Sequence, residues 1–234
     1  MTQVKNLFVE QEEAKRYNNY RPVYHHLLVE KLSSYFGKKL KRTLDVACGT
    51  GHSTNALAKI SDHIFGCDLS EAMLNVAREN NSINFVQSSA EQLPFEDSAF
   101  DYLNISMAFQ WLNQSQFLEE AKRVLNENGI LGIDNYGFTG KMMGNEGFLN
   151  LYKSFDQQYM KPAYRNKNYP EESDLRSIDF QFVTELTYDH EVSMDMSQFI
   201  NYLMTRSNYL HLSALVGLLH RTASQQVTAP DPNR

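Results

Sequence analysis

The stretch Leu44-Asp45-Val46-Ala47-Cys48-Gly49-Thr50-Gly51-His52-Ser53-Thr54 decides the fold of this chain. It predicts a buried strand, then a glycine turn, then the start of a helix. A second apolar run, residues 64–67, ends at Asp68. A strand that stops at a glycine turn leaves backbone N–H groups open to a ligand, and an acid that ends the next strand can accept hydrogen bonds from ribose hydroxyls. The pattern predicts a site for a nucleoside-containing cofactor.

The glycine spacing distinguishes between two such cofactors. A dinucleotide fingerprint is G-x-G-x-x-G, but here the third position is Thr54, and the small residue lies upstream at Ala47. S-adenosylmethionine has no pyrophosphate, so its methionine part can lie across the loop that contains Gly49 and Gly51. The spacing therefore favours S-adenosylmethionine over a nicotinamide dinucleotide. An ordinary tight turn between a strand and a helix is the alternative, since a glycine pair alone is weak evidence.

The order of predicted elements gives an α/β fold. Strands are predicted at residues 43–47, 63–67, 84–87, 102–106 and 130–135, and helices at 22–36, 53–60, 70–80 and 114–125. Strands that alternate with helices through short loops form a parallel sheet with helices on both faces. Ligands bind such a sheet at the carboxyl ends of its strands, and the glycine turn and Asp68 both lie at such ends.

Composition limits the function classes. The chain has 234 residues, 42% of them hydrophobic and 21% charged, and a net charge of -6. This charge argues against broad binding to nucleic acid, and we expect neither a membrane partner nor a signal peptide. Cys48 and Cys67 are expected to be small buried thiols in a cytoplasmic protein that is a monomer or homodimer.

Several motifs together resemble a known family. Residues 45–51, Asp68-Leu69-Ser70, residues 89–95 and Phe100-Asp101 are similar to the successive motifs of class I, S-adenosylmethionine-dependent methyltransferases, and more narrowly to the type 11 branch. The segment Tyr17-Asn18-Asn19-Tyr20-Arg21-Pro22-Val23-Tyr24 resembles the Y-x-x-x-R-P-x-Y entry segment of the trans-aconitate methyltransferase-like group. Residues 108–111 and 205–207 also match patterns of that group. The resemblance implies a Rossmann-like fold and the cofactor, and it says little about the substrate.

The resemblance also implies an organisation for the whole chain as one methyltransferase domain. Residues 1–40 would form a helical segment over the cofactor, 41–137 the cofactor-binding core, 138–180 a helical cap, and 181–234 a C-terminal strand and helices. A strand is predicted at 180–188 and a helix at 196–210. The last strand of the family fold has no convincing counterpart after residue 214, so it is either degenerate or missing.

The cofactor-binding residues follow from the motifs. Asp68 would accept from the ribose hydroxyls, with Ser70 free to cap the next helix. Tyr17 and Arg21 would close over the cofactor carboxylate, unless this segment is only an amphipathic helix on the sheet edge. Asp45 would orient the loop and the cofactor's amino group. The full expected set is Tyr17, Arg21, Asp45, Ala47, Gly49, Gly51, Asp68, Leu69, Ser89, Ala90, Glu91 and Ser106. In this set Leu69, Ser89 and Ala90 would flank the adenine, Ser106 would lie beside the methyl group, and Glu91 is equally well explained as a surface acid.

Catalytic candidates are fewer. Relatives often carry His before Trp111, so Gln110 removes a potential general base at this position. Trp111 or Tyr20 could face the sulfonium through a cation–π contact, although Trp111 is also explained as a core aromatic. Because the sulfonium is already activated, placement of the nucleophile supplies most of the rate. Gln110, Trp111 and Tyr20 are therefore candidates only, and the sequence shows no spacing typical of a metal site.

The sequence predicts a methyltransferase that acts on a small molecule, by in-line displacement. The acceptor could be a carboxylate, hydroxyl or amine; scattered arginines (Arg165, Arg176, Arg206) lean toward a carboxylate. Three alternatives stay open: a non-catalytic protein that binds S-adenosylmethionine, a tRNA or protein methyltransferase, and a nicotinamide oxidoreductase, although the third glycine of the dinucleotide fingerprint is missing.

Overall fold

A five-stranded parallel sheet is formed by residues 40–134. The computed structural model describes residues 8–79, 82–160, 165–166, 168–187 and 189–207. The strands are β1 (Leu40–Val46), β2 (Ser61–Asp68), β3 (Asn84–Gln87), β4 (Phe100–Ser106) and β5 (Leu125–Asp134). Their order is β3-β2-β1-β4-β5, and every neighbouring pair is parallel. The predicted α/β class and all five strands predicted between residues 43 and 135 are confirmed.

The described residues form eight helices. They are α1 (Gln11–Tyr20), α2 (His25–Phe36), α3 (His52–Leu57), α4 (Glu71–Arg78), α5 (Gln114–Val124), α6 (Phe148–Tyr159), α7 (Glu172–Ser177) and α8 (Met196–Met204). A short 3₁₀ turn, Ala58–Ile60, follows α3, and another, Phe109–Trp111, precedes α5.

Strand β4 is covered on both faces, since successive side chains of a strand point to opposite sides and helices pack against each side. In β4, Tyr102 packs in a cluster with residues of α2 and α3, while Leu103 belongs to a second cluster that includes α5. Both side chains are fully or almost fully buried. A strand covered on both faces has its ends as its only accessible part, so any ligand must bind there.

Side-chain caps fix where two of the helices begin. The Ser70 hydroxyl accepts from the Met73 N–H at the start of α4, and the Asn113 side chain accepts from Gln116 N at the start of α5. Since Ser70 caps α4, the neighbouring Asp68 is not needed for that purpose, as the sequence suggested.

Three of the predicted elements differ from the structure: a strand that begins earlier, a strand that does not form, and a helix that ends earlier. β5 begins at Leu125, directly after α5, because Leu125 is buried in the core and Asn126 is anchored by its amide to Asp101 (2.8 Å). No strand forms in the described part of 180–188; Phe182 and Leu186 are exposed there and find no sheet partner. The helix predicted at 196–210 ends at Met204, and residues 208–210 lie outside the described residues.

The chain separates into two compact units. The first contains residues 1–137 and 164–193, and the second contains residues 138–163 and 194–234. The predicted cap of 138–180 is thus divided, since its second half belongs with the sheet. The last strand of the family fold was expected to be degenerate or missing after residue 214, and these residues lie outside the described part. No described helix is long and apolar enough to cross a membrane.

Candidate cofactor-binding site

A cleft opens above the carboxyl ends of β1 and β4. Its walls come from the N-terminal segment, the glycine turn after β1, the end of β4, and Tyr136 after β5. The lining residues are Tyr17, Arg21, Pro22, Tyr24, His25, Ala47, Cys48, Gly49, Thr50, His52, Ser53, Ser106, Met107 and Tyr136. Five of the predicted cofactor residues are therefore brought to one cleft.

Asp45 lies beneath the glycine turn and does not line the cleft. Its side chain is fully buried, and it accepts hydrogen bonds from the Ser53 and Thr54 hydroxyls (2.6 Å each) and from the Asn104 amide (2.8 Å). Burial raises the pKa of Asp45 to about 6, against the effect of these donors. The bonds tie the start of α3 to β1 and β4, which supports the loop-orienting role and leaves no exposed oxygen for the cofactor's amino group.

The turn after β1 has an unusual backbone. Ala47, Gly49 and Gly51 have φ angles of 53°, 57° and 82°, all in the left-handed region. A non-glycine residue in this region costs about 1–3 kcal/mol, and such residues are concentrated at functional sites. A Cβ atom added to Gly49 would meet nothing within 4 Å, whereas one added to Gly51 would meet Phe85 at 3.3 Å. Gly49 thus opens toward the cleft, and Gly51 allows close packing against the strand behind it.

Asp68 lies beside this turn. Its Oδ2 accepts from the Gly49 N–H and its Oδ1 from the Ser70 N–H, both at 2.8 Å. Burial raises the pKa of Asp68, while these backbone donors act in the opposite direction. Each carboxylate oxygen accepts one of these bonds and keeps lone-pair capacity for another. The position and the spare capacity both suit two ribose hydroxyls.

The N-terminal segment closes one side of the cleft. Arg21 lies over the Tyr17 ring at 4.8 Å and donates to the Tyr136 hydroxyl at 3.1 Å. The His52 Nε2 lies 3.1 Å from the Asn18 carbonyl oxygen, which links α1 to α3. A planar guanidinium at the cleft wall can bind a carboxylate through two parallel hydrogen bonds.

The residues predicted around the adenine follow β2 and β3, outside the main cleft. Leu69 is 47% exposed at the end of β2, and Ala90 is buried after β3. The Ser89 hydroxyl donates to Glu91, and the other oxygen of Glu91 accepts from the Asn113 N–H at 2.9 Å. Glu91 thus has a structural role that holds the loop before α5, whatever its part in binding.

None of the three catalytic candidates lines the cleft. Gln110 is buried, and its amide donates to the Met107 carbonyl at 2.7 Å. Met107 itself has a φ of 61°, in the left-handed region. The Trp111 ring is covered by the Arg165 guanidinium at 4.9 Å. Tyr20 ends α1 and does not contact the cleft. Gln110 therefore supports the bend at the end of β4, and a cation–π role for Trp111 would have to use its other face.

Sequence reasoning predicted Ser106 but missed Asp134 and the contacts that join the two residues to Tyr24 and His25. We call this group at the ends of β4 and β5 the Asp134 cluster: Tyr24, His25, Ser106 and Asp134. The Tyr24 hydroxyl donates to Asp134 Oδ2 at 2.6 Å, and the Ser106 hydroxyl donates to the same atom at 2.8 Å. His25 Nε2 lies 3.2 Å from Ser106 Oγ. One signal was available: Asp134 is an acid near the end of a predicted parallel strand, as Asp68 is.

The site carries no sign of metal or thiol chemistry. The described residues contain no group of three or more His, Cys, Asp or Glu side chains placed to hold a metal ion. Cys48 and Cys67 are buried, and burial raises the pKa of Cys67 to about 12, so the thiols are protonated at neutral pH.

The residues present fit S-adenosylmethionine. Gly49 leaves open space where a side chain would be, and the Thr50 hydroxyl is buried at the cleft with no hydrogen-bond partner among the described residues. Asp68 keeps acceptor capacity on both oxygens.

Comparison with known proteins agrees with this fit. Residues 44–133 match the type 11 methyltransferase domain model. A candidate methyltransferase of Dictyostelium discoideum is 28% identical over 200 residues, which cover 84% of this chain and 75% of that protein. A ubiquinone/menaquinone biosynthesis C-methyltransferase of Campylobacter jejuni is 32% identical over 143 residues, and the chain spans 59% of its length.

Among solved structures, a candidate type II methyltransferase of Anaeromyxobacter dehalogenans has a TM-score of 0.63 at 21% identity, covering 89% of this chain and 91% of that one. This likeness shows the fold. The domain match and the relatives add one conclusion: residues 44–133 resemble a type 11 methyltransferase domain, and the cofactor is S-adenosylmethionine.

Proposed function

We propose that this chain transfers the methyl group of S-adenosylmethionine to a small-molecule acceptor. The observation that supports the proposal best is the cleft over β1 and β4, where Gly49 leaves open space and both Arg21 and Ser106 line the walls. The net charge of -6 is poorly suited to a phosphate backbone, which favours a small acceptor over a nucleic acid.

The residues in and beside the cleft have distinct parts in this proposal. Asp68 accepts from the ribose hydroxyls, and Arg21, held by Tyr17 and Tyr136, binds the carboxylate of the methionine part. The backbone around Gly49 supports the chain between them. When bound, the cofactor supplies an electrophilic methyl group on a sulfonium. Ser106 and Met107, at the end of β4, border the space in which the acceptor approaches this group.

This assignment requires no general base to activate the methyl donor. What the protein must supply is alignment of the acceptor atom with the methyl group and exclusion of water. Both requirements are met best by rigid walls, since Asp45 fixes the turn after β1 and Gln110 fixes the Met107 carbonyl.

The test is calorimetric titration of the protein with S-adenosylmethionine, S-adenosylhomocysteine and NADH, followed by a screen of small-molecule acceptors for S-adenosylhomocysteine release. We expect micromolar binding of the first two and turnover with a small acceptor. Preference for NADH would contradict the cofactor site. Tight cofactor binding without release from any acceptor, in the presence or absence of added tRNA or protein, would favour a non-catalytic binding protein.

A further inference from the structure

The Asp134 cluster contains a carboxylate oxygen that nothing in the described protein uses. Asp134 ends β5 and is paired in register with Ser106 of β4. Its Oδ2 accepts from Tyr24 and Ser106, but its Oδ1 is buried and has no hydrogen-bond partner among the described residues. An unsatisfied buried carboxylate oxygen is costly, so its presence calls for a ligand or a functional reason.

The cluster also has no cation of its own. Asp134 takes part in none of the ion pairs among the described residues. The titratable and charged groups around it are Tyr24 and His25 at the start of α2, Asp45 on β1, Tyr102 on β4, and Tyr136 with its partner Arg21. Burial and the neighbouring histidines lower the pKa of His25 to about 4, so it is neutral at pH 7. A buried carboxylate without a counter-charge is strongly disfavoured.

The strand order places this carboxylate on the acceptor side of the cleft. Asp68 ends β2, the glycine turn follows β1, Ser106 ends β4 and Asp134 ends β5, in that spatial order. Neighbouring strands lie about 4.8 Å apart. A cofactor with its ribose at Asp68 and its methionine part over β1 therefore leads toward β4, and Asp134 lies one strand further on. Ser106 stands between the cleft and Asp134, in contact with both.

We propose that Asp134 takes up, through Ser106, the proton that the methyl acceptor loses, and that the acceptor is therefore a proton-bearing nucleophile such as a hydroxyl rather than a carboxylate. This inference rests on the proposed function. A carboxylate acceptor has no proton to give and would be repelled by the buried charge.

The proton transfer balances as follows. A lone pair of the acceptor oxygen forms the new O–CH₃ bond, and the electron pair of the broken S–CH₃ bond stays on sulfur. The acceptor's hydroxyl proton moves to Ser106 Oγ while the Ser106 proton moves 2.8 Å to Asp134 Oδ2. The positive sulfonium and the negative carboxylate are thus neutralised in the same step, so no net charge is left buried. Asp134 returns its proton to solvent when the product leaves.

The electrostatic link can be tested without knowing the acceptor. S-adenosylmethionine and S-adenosylhomocysteine are titrated by calorimetry in buffers of different ionisation enthalpy, between about pH 5 and pH 8, which counts the protons taken up on binding. Burial raises the pKa of Asp134. S-adenosylhomocysteine has a neutral sulfur and therefore leaves Asp134 partly protonated. S-adenosylmethionine has a cationic sulfonium, which favours the ionised carboxylate. We expect greater proton uptake with S-adenosylhomocysteine in the wild type, and no such difference in Asp134→Asn.

Affinity gives a second readout in the same titrations. Asp134→Asn is expected to lower the affinity for S-adenosylmethionine about tenfold and the affinity for S-adenosylhomocysteine less than about twofold. Asp68→Asn is the matched control, since the ribose that it contacts is common to both ligands and both affinities fall alike. If Asp134→Asn lacks a cooperative unfolding transition, Tyr24→Phe replaces it; loss of this donor raises the pKa of Asp134 further, which moves the proton uptake to higher pH.

The acceptor class is tested with compounds in pairs that share a skeleton and differ in a hydroxyl or a carboxylate. We expect S-adenosylhomocysteine release with hydroxyl members, an acid limb in the wild-type pH profile, and loss of that limb with at least about a hundredfold lower kcat/KM in Asp134→Asn. Equal proton uptake in wild type and Asp134→Asn, or preferred methylation of carboxylates, would overturn the inference and leave the cofactor site intact. Absence of binding by both cofactors would overturn the proposed function, and this inference with it.

Discussion

Replacement of Asp68 by alanine tests the ribose contact on which the cofactor site depends. Both carboxylate oxygens already accept a backbone N–H at 2.8 Å, and each has capacity for one ribose hydroxyl. A hydrogen bond to a charged group contributes about 1.5–3 kcal/mol, so loss of two such bonds, partly replaced by water, costs about 3 kcal/mol, or roughly 150-fold in affinity. Isothermal titration with S-adenosylhomocysteine measures this change directly.

The same substitution also affects stability, and the two effects must be separated. The Gly49 and Ser70 N–H groups lose their acceptor, which costs about 2 kcal/mol in all and lowers the Tm by roughly 5 °C. Titration with a 2′-deoxy analogue of S-adenosylhomocysteine isolates the ribose contact. Removal of that hydroxyl should weaken binding to the wild type and have little effect on Asp68→Ala.

A matched control for charge comes from the same strand. Asp62 of β2 is exposed, so Asp62→Ala changes the net charge equally without touching the cleft. We expect its affinity to stay within about twofold of the wild type. An equal loss on removal of the 2′-hydroxyl in wild type and Asp68→Ala would refute the ribose contact.

Three further predictions concern the turn and its surroundings. Gly49→Ala should lower the affinity for S-adenosylhomocysteine more than about tenfold, with a Tm loss of only a few degrees, because the added Cβ enters open cleft space. Gly51→Ala should mainly lower the Tm, because the added Cβ meets the Phe85 side chain. Titration calorimetry and thermal unfolding compare the two. The pKa of Asp45 is raised to about 6 by burial, so its folded form holds a proton that the unfolded chain releases near pH 4. Urea unfolding of wild type relative to Asp45→Asn should therefore show a stability advantage that is largest below about pH 4 and falls by about 3 kcal/mol as the pH rises through 6; a constant difference would contradict the raised pKa. The thiols of Cys48 and Cys67 should react with a disulfide reagent at pH 8 only after addition of denaturant, and rapid reaction of the folded protein would show that they are exposed.

Local patterns predicted the parts of this site that depend on a single strand end. Gly49, Gly51 and Asp68 could be placed from the sequence because each follows an apolar run that only a buried parallel strand explains. Their geometric requirements are local too: a left-handed φ at Gly49 and Gly51 is a property of one turn. The cap of α4 at Ser70 was visible for the same reason.

Contacts between distant segments could not be predicted in this way. Asp45 was expected to face the cofactor's amino group, but in the fold it is enclosed by Ser53, Thr54 and Asn104, the last of which is 59 positions away. The strand predicted at 180–188 had suitable alternation, yet a strand forms only where a neighbour offers its backbone, and no such neighbour lies beside its described residues.

The sequence by itself determined the fold class, the cofactor and the turn expected to bind it, because strand burial, glycine conformation and acid placement are each encoded in a short stretch of residues. Only the tertiary structure decided which side chains meet at the ends of β4 and β5. Tyr24 and Asp134 are 110 positions apart and meet because the strand order places β5 beside β4, under the N-terminal segment. Such a pairing is fixed by packing of the whole sheet, which no local pattern of residues contains.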